Sequence, residues 1–448
     1  MYALKVVLIS TYELGRQPFG LASPAAWLKE RGHDVMCVDL AIATLPALPI
    51  REAQLVALYL PMHTATRLAA QVIPKVRLLN PKVHLCAYGL YAPVNAGYLK
   101  KLGVETILGG EFEQALADLA ERLVRDERPV QQQLISLDRL EFSVPDRSGL
   151  PPLARYAKLH VNGTAKIAGY TEASRGCKHL CRHCPVVPVY KGRFRVVQHD
   201  TVMMDIRRQV EAGAQHITFG DPDFLNGPAH ARRIVEELHR EFPGVSYDAT
   251  IKIEHLIQAP DLLPVLRDTG CVFVTTAVES VDDRVLAKLE KGHTRADFIR
   301  AAGLLDAAGL VMAPTFIPFT PWTTRPGYGD LLRVIAELGL VENVSPIQLA
   351  LRLLVTTGSR LLELPDIQER IERFDEAALI YRWRHEDPDI DQLAARVLSL
   401  VHDEQRRHAP RREIFRNIWH LVTDDPLPEN FDLMPRATIP YMDEPWYC

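Results

Sequence analysis

Two features that would announce a membrane or secreted protein are missing from this sequence. No window approaches about eighteen uncharged apolar residues, the length a helix needs to cross a bilayer. The N-terminal MYALKVVLIS is too short an apolar run for a secretion signal and offers no small-residue cleavage site. An excess of one charge is missing too: 52 basic and 56 acidic residues leave a formal net charge of −4. Such a chain has no long-range field with which to recruit nucleic acid or an anionic membrane. Cysteine is scarce, seven in 448 residues and three of them clustered, which excludes a disulfide framework and points to ligands in a reducing compartment. The expectation is a cytoplasmic protein with neither nucleic acid nor membrane as partner. At 47% hydrophobic residues the chain can fill two or three cores.

Up to about residue 125, short β-rich runs (KVVLIS, HDVMCVDL, LVALYLP, KVHLCAYGL, ETILGG) alternate with helical segments. That alternation predicts a doubly wound, Rossmann-like parallel sheet. Its turn residues Tyr88 to Tyr91 and Gly109 to Glu111 fall at the carboxyl edge, where such sheets bind ligands. Residues 126–168, with RPVQQQ and VPDRSGLPPLARY, read as a linker. From 169 to 360 a second series of six β/α units predicts a partial (β/α)6 barrel with its chemistry at the strand carboxyl ends. Residues 361–448 read as a charged helical extension that closes in a Pro-rich tail. Within that extension Arg406, Arg407, Arg411 and Arg412 are diluted by acidic neighbours and read as a solvated helix end.

The scarce cysteines concentrate where the first barrel strand ends. In SRGCKHLCRHCPVVPVYKGRFRVV, Cys177, Cys181 and Cys184 form C-x3-C-x2-C, with no second CxxC downstream. A closed zinc site wants four ligands and would need His179 or His183 to complete it, while a catalytic zinc would keep a water in fourth place. A four-iron cluster held by three thiolates has one iron free for substrate or cofactor, so three is the number it requires.

At this point the sequence resembles the radical S-adenosylmethionine superfamily. The resemblance implies a 4Fe-4S cluster on Cys177, Cys181 and Cys184 whose open iron binds S-adenosylmethionine. It further implies that Gly220, Asp221, Pro222 and Asp223 form the edge receiving the methionine ammonium, and that Lys252, placed on the third strand, faces the methionine carboxylate. Glu279 and Ser280 end the fourth strand, where a carboxylate can accept both ribose hydroxyls. His183 stands where many members carry an aromatic residue, and still offers a ring beside the adenine. KGHT at Lys291 to Thr294 resembles a stretch common in members with a preceding cobalamin-type domain, and PAAWLKERGHDVMCVDL, GLYAP and ILGGEFEQAL resemble that domain. The D-x-H-x-x-G pattern that supplies a cobalt ligand is absent, and His33, His63 and His84 lie in other contexts. Cobalamin is therefore a candidate cofactor held without a protein histidine, or the domain shapes the substrate cavity alone.

The resemblance implies a transferase-like enzyme passing a methyl or other group to a small-molecule substrate, fed by an electron donor such as flavodoxin or ferredoxin. A second reading is aminocarboxypropyl transfer to a soft acceptor such as trivalent arsenic. A third is a noncatalytic zinc or iron-sulfur ligand sensor, which would lack any recognisable DNA-reading module here. The terminal EPWYC resembles the start of a tail in radical proteins ending Cys-Cys-Ala-Glu-Pro or Cys-selenocysteine-Ala-Glu-Pro. That resemblance makes Cys448 a candidate catalytic residue and carries the expectation that the natural chain continues past it as a selenoprotein.

Overall fold

A computed structural model of the chain describes residues 3–127, 134–428, 431 and 439–443. Cys448 lies outside the described residues.

The N-terminal half builds one parallel sheet from β1 (Lys5–Ser10), β2 (Asp34–Asp39), β3 (Leu55–Tyr59), β4 (His84–Tyr88), β5 (Thr106–Gly110) and β6 (Ile135–Ser136). Strand order is β2-β1-β3-β4-β5-β6. Side chains alternate across a strand, so Val7, Ile9, Val56 and Leu58 enter one apolar core and Val6, Leu8, Leu55 and Ala57 the other. Helices cover both faces, which is why these strands read as continuous apolar runs. Each fully buried aliphatic side chain contributes about 1.5–3 kcal/mol. The order reverses between β1 and β3, which makes their carboxyl ends a topological switch point.

The second sheet runs β14-β13-β12-β11-β8-β7-β17. Its parallel part comprises β8 (Thr164–Thr171), β11 (His216–Phe219), β12 (Ser246–Thr250), β13 (Cys271–Glu279) and β14 (Val311–Phe316). β7 (Lys158–Val161) and β17 (Tyr441–Met442) extend it antiparallel. A separate antiparallel pair, β9 (Ser174–Gly176) and β10 (Phe194–Val196), brackets the cysteine loop. Among the described residues no helix is long and apolar enough to cross a membrane.

Three expectations change here. The sixth barrel unit is reduced to a single parallel bridge between Phe319 and Arg352, because Pro346–Leu349 turns as a 3-10 helix; proline brings no N–H to a ladder. The segment 126–168 does more than link, since it supplies β6 to the first sheet and β7 with the start of β8 to the second. The charged run after residue 370 is not helical at first. β15 (Ile371–Asp375) and β16 (Ile380–Trp383) form a hairpin whose cross-strand pairs Ile371–Trp383 and Phe374–Tyr381 outweigh its helix-like composition. Helices follow at Pro388–Arg406 and Arg411–Val422 as expected. Their arginines are paired: Arg406 with Asp403, Arg407 with Glu404 at 3.6 Å, and Arg412 with Glu342 at 3.5 Å. Arg411 donates to the Glu342 carbonyl at 2.7 Å.

Candidate active site at the cysteine loop

The loop between β9 and β10 is fixed at both ends before any metal is considered. Asp221, just past β11, accepts the Ala173 amide at 2.9 Å and the Ser174 hydroxyl at 2.5 Å. Asn226 accepts the Lys178 amide and donates to the Gly176 carbonyl, both at 3.3 Å. The Cys177 amide donates to the Arg193 carbonyl at 3.1 Å, and the Arg182 amide to Leu289 at 2.9 Å. Cys177 and Cys181 are thereby buried and Cys184 half-buried, all three as free thiols. Burial pushes the Cys184 thiol up to about 12, with Cys181 and Cys177 adding to the effect. A bound metal inverts that preference by deprotonating its thiols.

A closed three-cysteine, one-histidine site would need His179 to converge with all three sulfurs. Its ligand atom instead groups with Cys177 and Asp223, all within 4.8 Å of one another, a set that leaves out Cys181 and Cys184. His179 also lies 3.6 Å from Glu254 and packs against the His255 ring at 5.0 Å. Burial lowers its pKa to about 4.

Across from the loop sits a second set of groups, delivered by β12, β13 and KGHT. Glu279, the last residue of β13, is buried with φ at +67°. A glutamate in the left-handed region costs about 1–3 kcal/mol and persists only where its surroundings impose it. Its Oε1 lies 3.1 Å from His183 Nε2 and 3.3 Å from Lys291 Nζ. Burial pushes its carboxyl up, but Lys291 and His183 win and hold it at about 2. Lys252 lies two residues past β12, not on the strand, as the cap of helix Ile253–Gln258. Its Nζ lies 3.7 Å from Cys181 Sγ, donates to the Lys291 carbonyl at 3.1 Å and pairs with Glu254. Asp223 is fully buried and meets His255 at 2.7 Å.

The structure therefore brings His183, Asp223, Lys252 and Glu279 to the three cysteines, but separates others from them. Asp221 spends its carboxylate on the loop backbone. Ser280 accepts the Asp282 amide at 3.1 Å as part of a turn. At Gly220 a Cβ would lie 1.9 Å from the Tyr170 hydroxyl, so close packing requires glycine there. Gly220 and Pro222 line a cavity of about 210 Å³ between the two sheets. The sequence reading quoted Lys291 only as the start of KGHT and gave it no site role. KGHT now has a mechanical account: Lys291 holds Glu279, His293 meets the Val278 carbonyl at 3.2 Å, and Thr294 caps helix Arg295–Ala307 in a capping box with Asp297.

Also missed was Arg175, which crosses the seam between the sheets. It pairs with Glu113 and Glu172 at 2.7 Å and with Glu111 at 3.3 Å. The glycines expected to admit a ligand at the first sheet's edge instead admit the chain itself. At Gly110, whose φ is +71°, a Cβ would lie only 2.0 Å from the Ser136 carbonyl oxygen. The open part of that edge is a cavity of about 610 Å³ at the β1–β3 switch point, lined by Tyr12, Glu13, Asp39 and Arg67 among others. No histidine of this half reaches it as a free ligand. His33 and His84 lie at the amino ends of β2 and β4, and His63 donates to the Ala378 carbonyl at 2.6 Å.

Comparison with known proteins converges on the same region. Residues 171–321 match the Radical SAM superfamily. A hopanoid C-3 methylase from Methylococcus capsulatus is 24% identical over 322 residues, covering 66% of this chain and 61% of the methylase. A tRNA-2-methylthio-N(6)-dimethylallyladenosine synthase from Chlorobium phaeovibrioides is 29% identical over 177 residues, covering 37% of this chain and 36% of the synthase. The chain thus spans about three fifths or less of these two relatives. Among solved structures, the cobalamin-dependent S-adenosylmethionine radical enzyme OxsB aligns over 96% of this chain and 74% of its own, with TM-score 0.73 and 13% identity. The radical S-adenosylmethionine methyltransferase TsrM from Kitasatospora setae aligns over 75% and 70%, with TM-score 0.58 and 15% identity. At these identities the two structures show a shared fold.

Proposed function

From a chain whose residues 171–321 form a Radical SAM domain, we propose a transferase-type enzyme that holds a 4Fe-4S cluster on Cys177, Cys181 and Cys184. It binds S-adenosylmethionine against that cluster and passes a methyl or other group to a small molecule. One observation carries the reading: two buried thiols and a half-buried third share one loop, with the buried Lys252 ammonium 3.7 Å from Cys181 and the buried Glu279 carboxylate 3.1 Å from His183 of the same loop. When bound, the cluster and S-adenosylmethionine supply one-electron cleavage of a sulfonium bond. The chain supplies position and dryness. Lys252, beside Cys181, would hold an anionic carboxylate on the cofactor. Glu279, ionised down to about 2, is an acceptor only and suits a pair of hydroxyl donors. His183 and Lys291 fix that carboxylate's orientation, and burial of the whole set excludes water that would quench a reactive intermediate.

For cobalamin, the histidines exclude one mode. A corrinoid at the switch-point cavity would be held by residues such as Tyr12, Glu13, Asp39 and Arg67, among which there is no histidine. Aminocarboxypropyl transfer uses the same cluster site and differs in which sulfonium bond breaks. The sensor reading has less support, since the relatives of this chain are named for methylation and methylthiolation.

Single-turnover product analysis tests the proposal. Reduced protein with S-adenosylmethionine should yield 5'-deoxyadenosine or methylthioadenosine, and only when reductant is present. Methylthioadenosine that appears only with arsenite selects the aminocarboxypropyl reading. Neither nucleoside forming while the cluster is demonstrably reduced contradicts both.

A further inference from the structure

On the reading just proposed, an electron must reach the cysteine loop from outside the chain, and the outer surface of that loop has a distinctive character. Leu180, directly before Cys181, is 48% exposed. Lys178, directly after Cys177, is exposed, as are Lys191 and Arg193 on the return of the same loop. Gly192 brings the two stretches together: a Cβ there would lie 3.1 Å from Leu180 Cδ2 and 3.6 Å from the Lys178 carbonyl. The Arg360 guanidinium donates to the Leu180 carbonyl at 2.7 Å and fixes the leucine outward.

The local charge is equally one-sided. Glu290 is occupied by Arg182 at 2.6 Å and Arg360 at 2.7 Å, and Glu363 by Arg360 at 3.3 Å. Lys178, Lys191 and Arg193 have no carboxylate partner among the described residues. Three cations without a carboxylate partner thus sit on the two stretches that meet at the exposed leucine, on a chain whose net charge is −4. Lys178 adjoins Cys177 and Leu180 adjoins Cys181, neighbouring Cα atoms being only about 3.8 Å apart, and the Arg193 carbonyl accepts the Cys177 amide at 3.1 Å. An apolar centre inside a charged rim is the pattern of a protein interface. Short-lived redox encounters need only a small area, below about 1,200 Å².

We propose that Lys178, Leu180, Lys191 and Arg193 form the docking surface for a small acidic one-electron carrier protein. The carrier gives up one electron, the oxidised cluster behind the loop accepts it, and no proton need move. The opposite charges steer the encounter and set its salt dependence, while the leucine supplies the contact that excludes water.

The test reads cluster reduction itself, so it does not depend on S-adenosylmethionine being cleaved. The reconstituted protein is mixed with reduced flavodoxin, and bleaching of the cluster is timed; photoreduced deazaflavin, a small reductant with no docking requirement, is the control. Lys178→Glu, Lys191→Glu and Arg193→Glu together should slow reduction by flavodoxin about tenfold or more at low ionic strength. The deazaflavin rate should not change. Added salt should slow the wild type and, by screening the like charges, speed the triple variant. Leu180→Ser should slow flavodoxin while keeping the wild-type salt slope. An unchanged flavodoxin rate in the triple variant overturns the assignment, and so does an equal slowing with deazaflavin. Normal cluster reduction without S-adenosylmethionine cleavage would count against the proposed function and leave the docking result standing.

Discussion

Replacing Cys184 with alanine is expected to lower reductant-dependent S-adenosylmethionine cleavage on the order of a thousandfold or more, to the level of the protein-free control. The cluster carries the chemistry, so losing one of three ligands removes the reaction and does not merely slow it. Stability should change little, by about 1 kcal/mol, because Cys184 is half-buried in a small satellite cluster with Val186, Val189 and Tyr190. Cys271→Ala is the control. Cys271 lies in the main barrel core, and it should keep its iron and its activity while losing some stability. Iron content and nucleoside release of the two variants, measured side by side, decide it. Appreciable nucleoside release from the Cys184 variant contradicts the ligand assignment.

The largest effect on folding is expected at Arg175. Its guanidinium is buried against Glu111, Glu113 and Glu172 and lies 4.7 Å from the centre of the Phe142 ring. Arg175→Met leaves the buried Glu111 and Glu113 and the half-buried Glu172 without their cation, a loss of about 3–5 kcal/mol. The deficit should depend on pH. In the intact protein burial already raises the Glu111 carboxyl to about 7, with Arg175 opposing the rise. A carboxyl whose pKa is raised on folding stabilises the fold fully below its unfolded value of about 4.5 and loses that contribution as pH climbs through the folded value. Without Arg175 the folded value moves higher still, so the deficit should grow between pH 5 and pH 8. Denaturant unfolding at those two pH values checks this. A deficit that is the same at both, or smaller than about 1 kcal/mol, would show that the glutamates find another partner.

These two residues also mark how far the sequence could be read. Cys177, Cys181 and Cys184 lie within eight positions, so their convergence is local and visible as spacing. Both parallel sheets were legible for a similar reason, since each strand read from the sequence carries its burial pattern within four to nine residues. Arg175 was not, because its partners at Glu111 and Glu113 are some sixty positions away and meet it only after the two sheets pack. Lys291 likewise pairs with Glu279 across a helix. The hairpin Ile371–Trp383 was read as helix because its charged composition hides two apolar cross-strand pairs, and only register reveals them. Ser280 adjoins Glu279 in sequence, yet a bulge in β13 between Ala277 and Glu279 gives the pair different tasks.

The central claim, that this chain is built around a three-thiolate iron-sulfur cluster, is tested most directly by metal and sulfide analysis of the anaerobically reconstituted protein. The account predicts about four iron and four sulfide per chain, bleached by dithionite and absent from the Cys177, Cys181 and Cys184 alanine variants. One tightly held zinc per chain with no sulfide would contradict it.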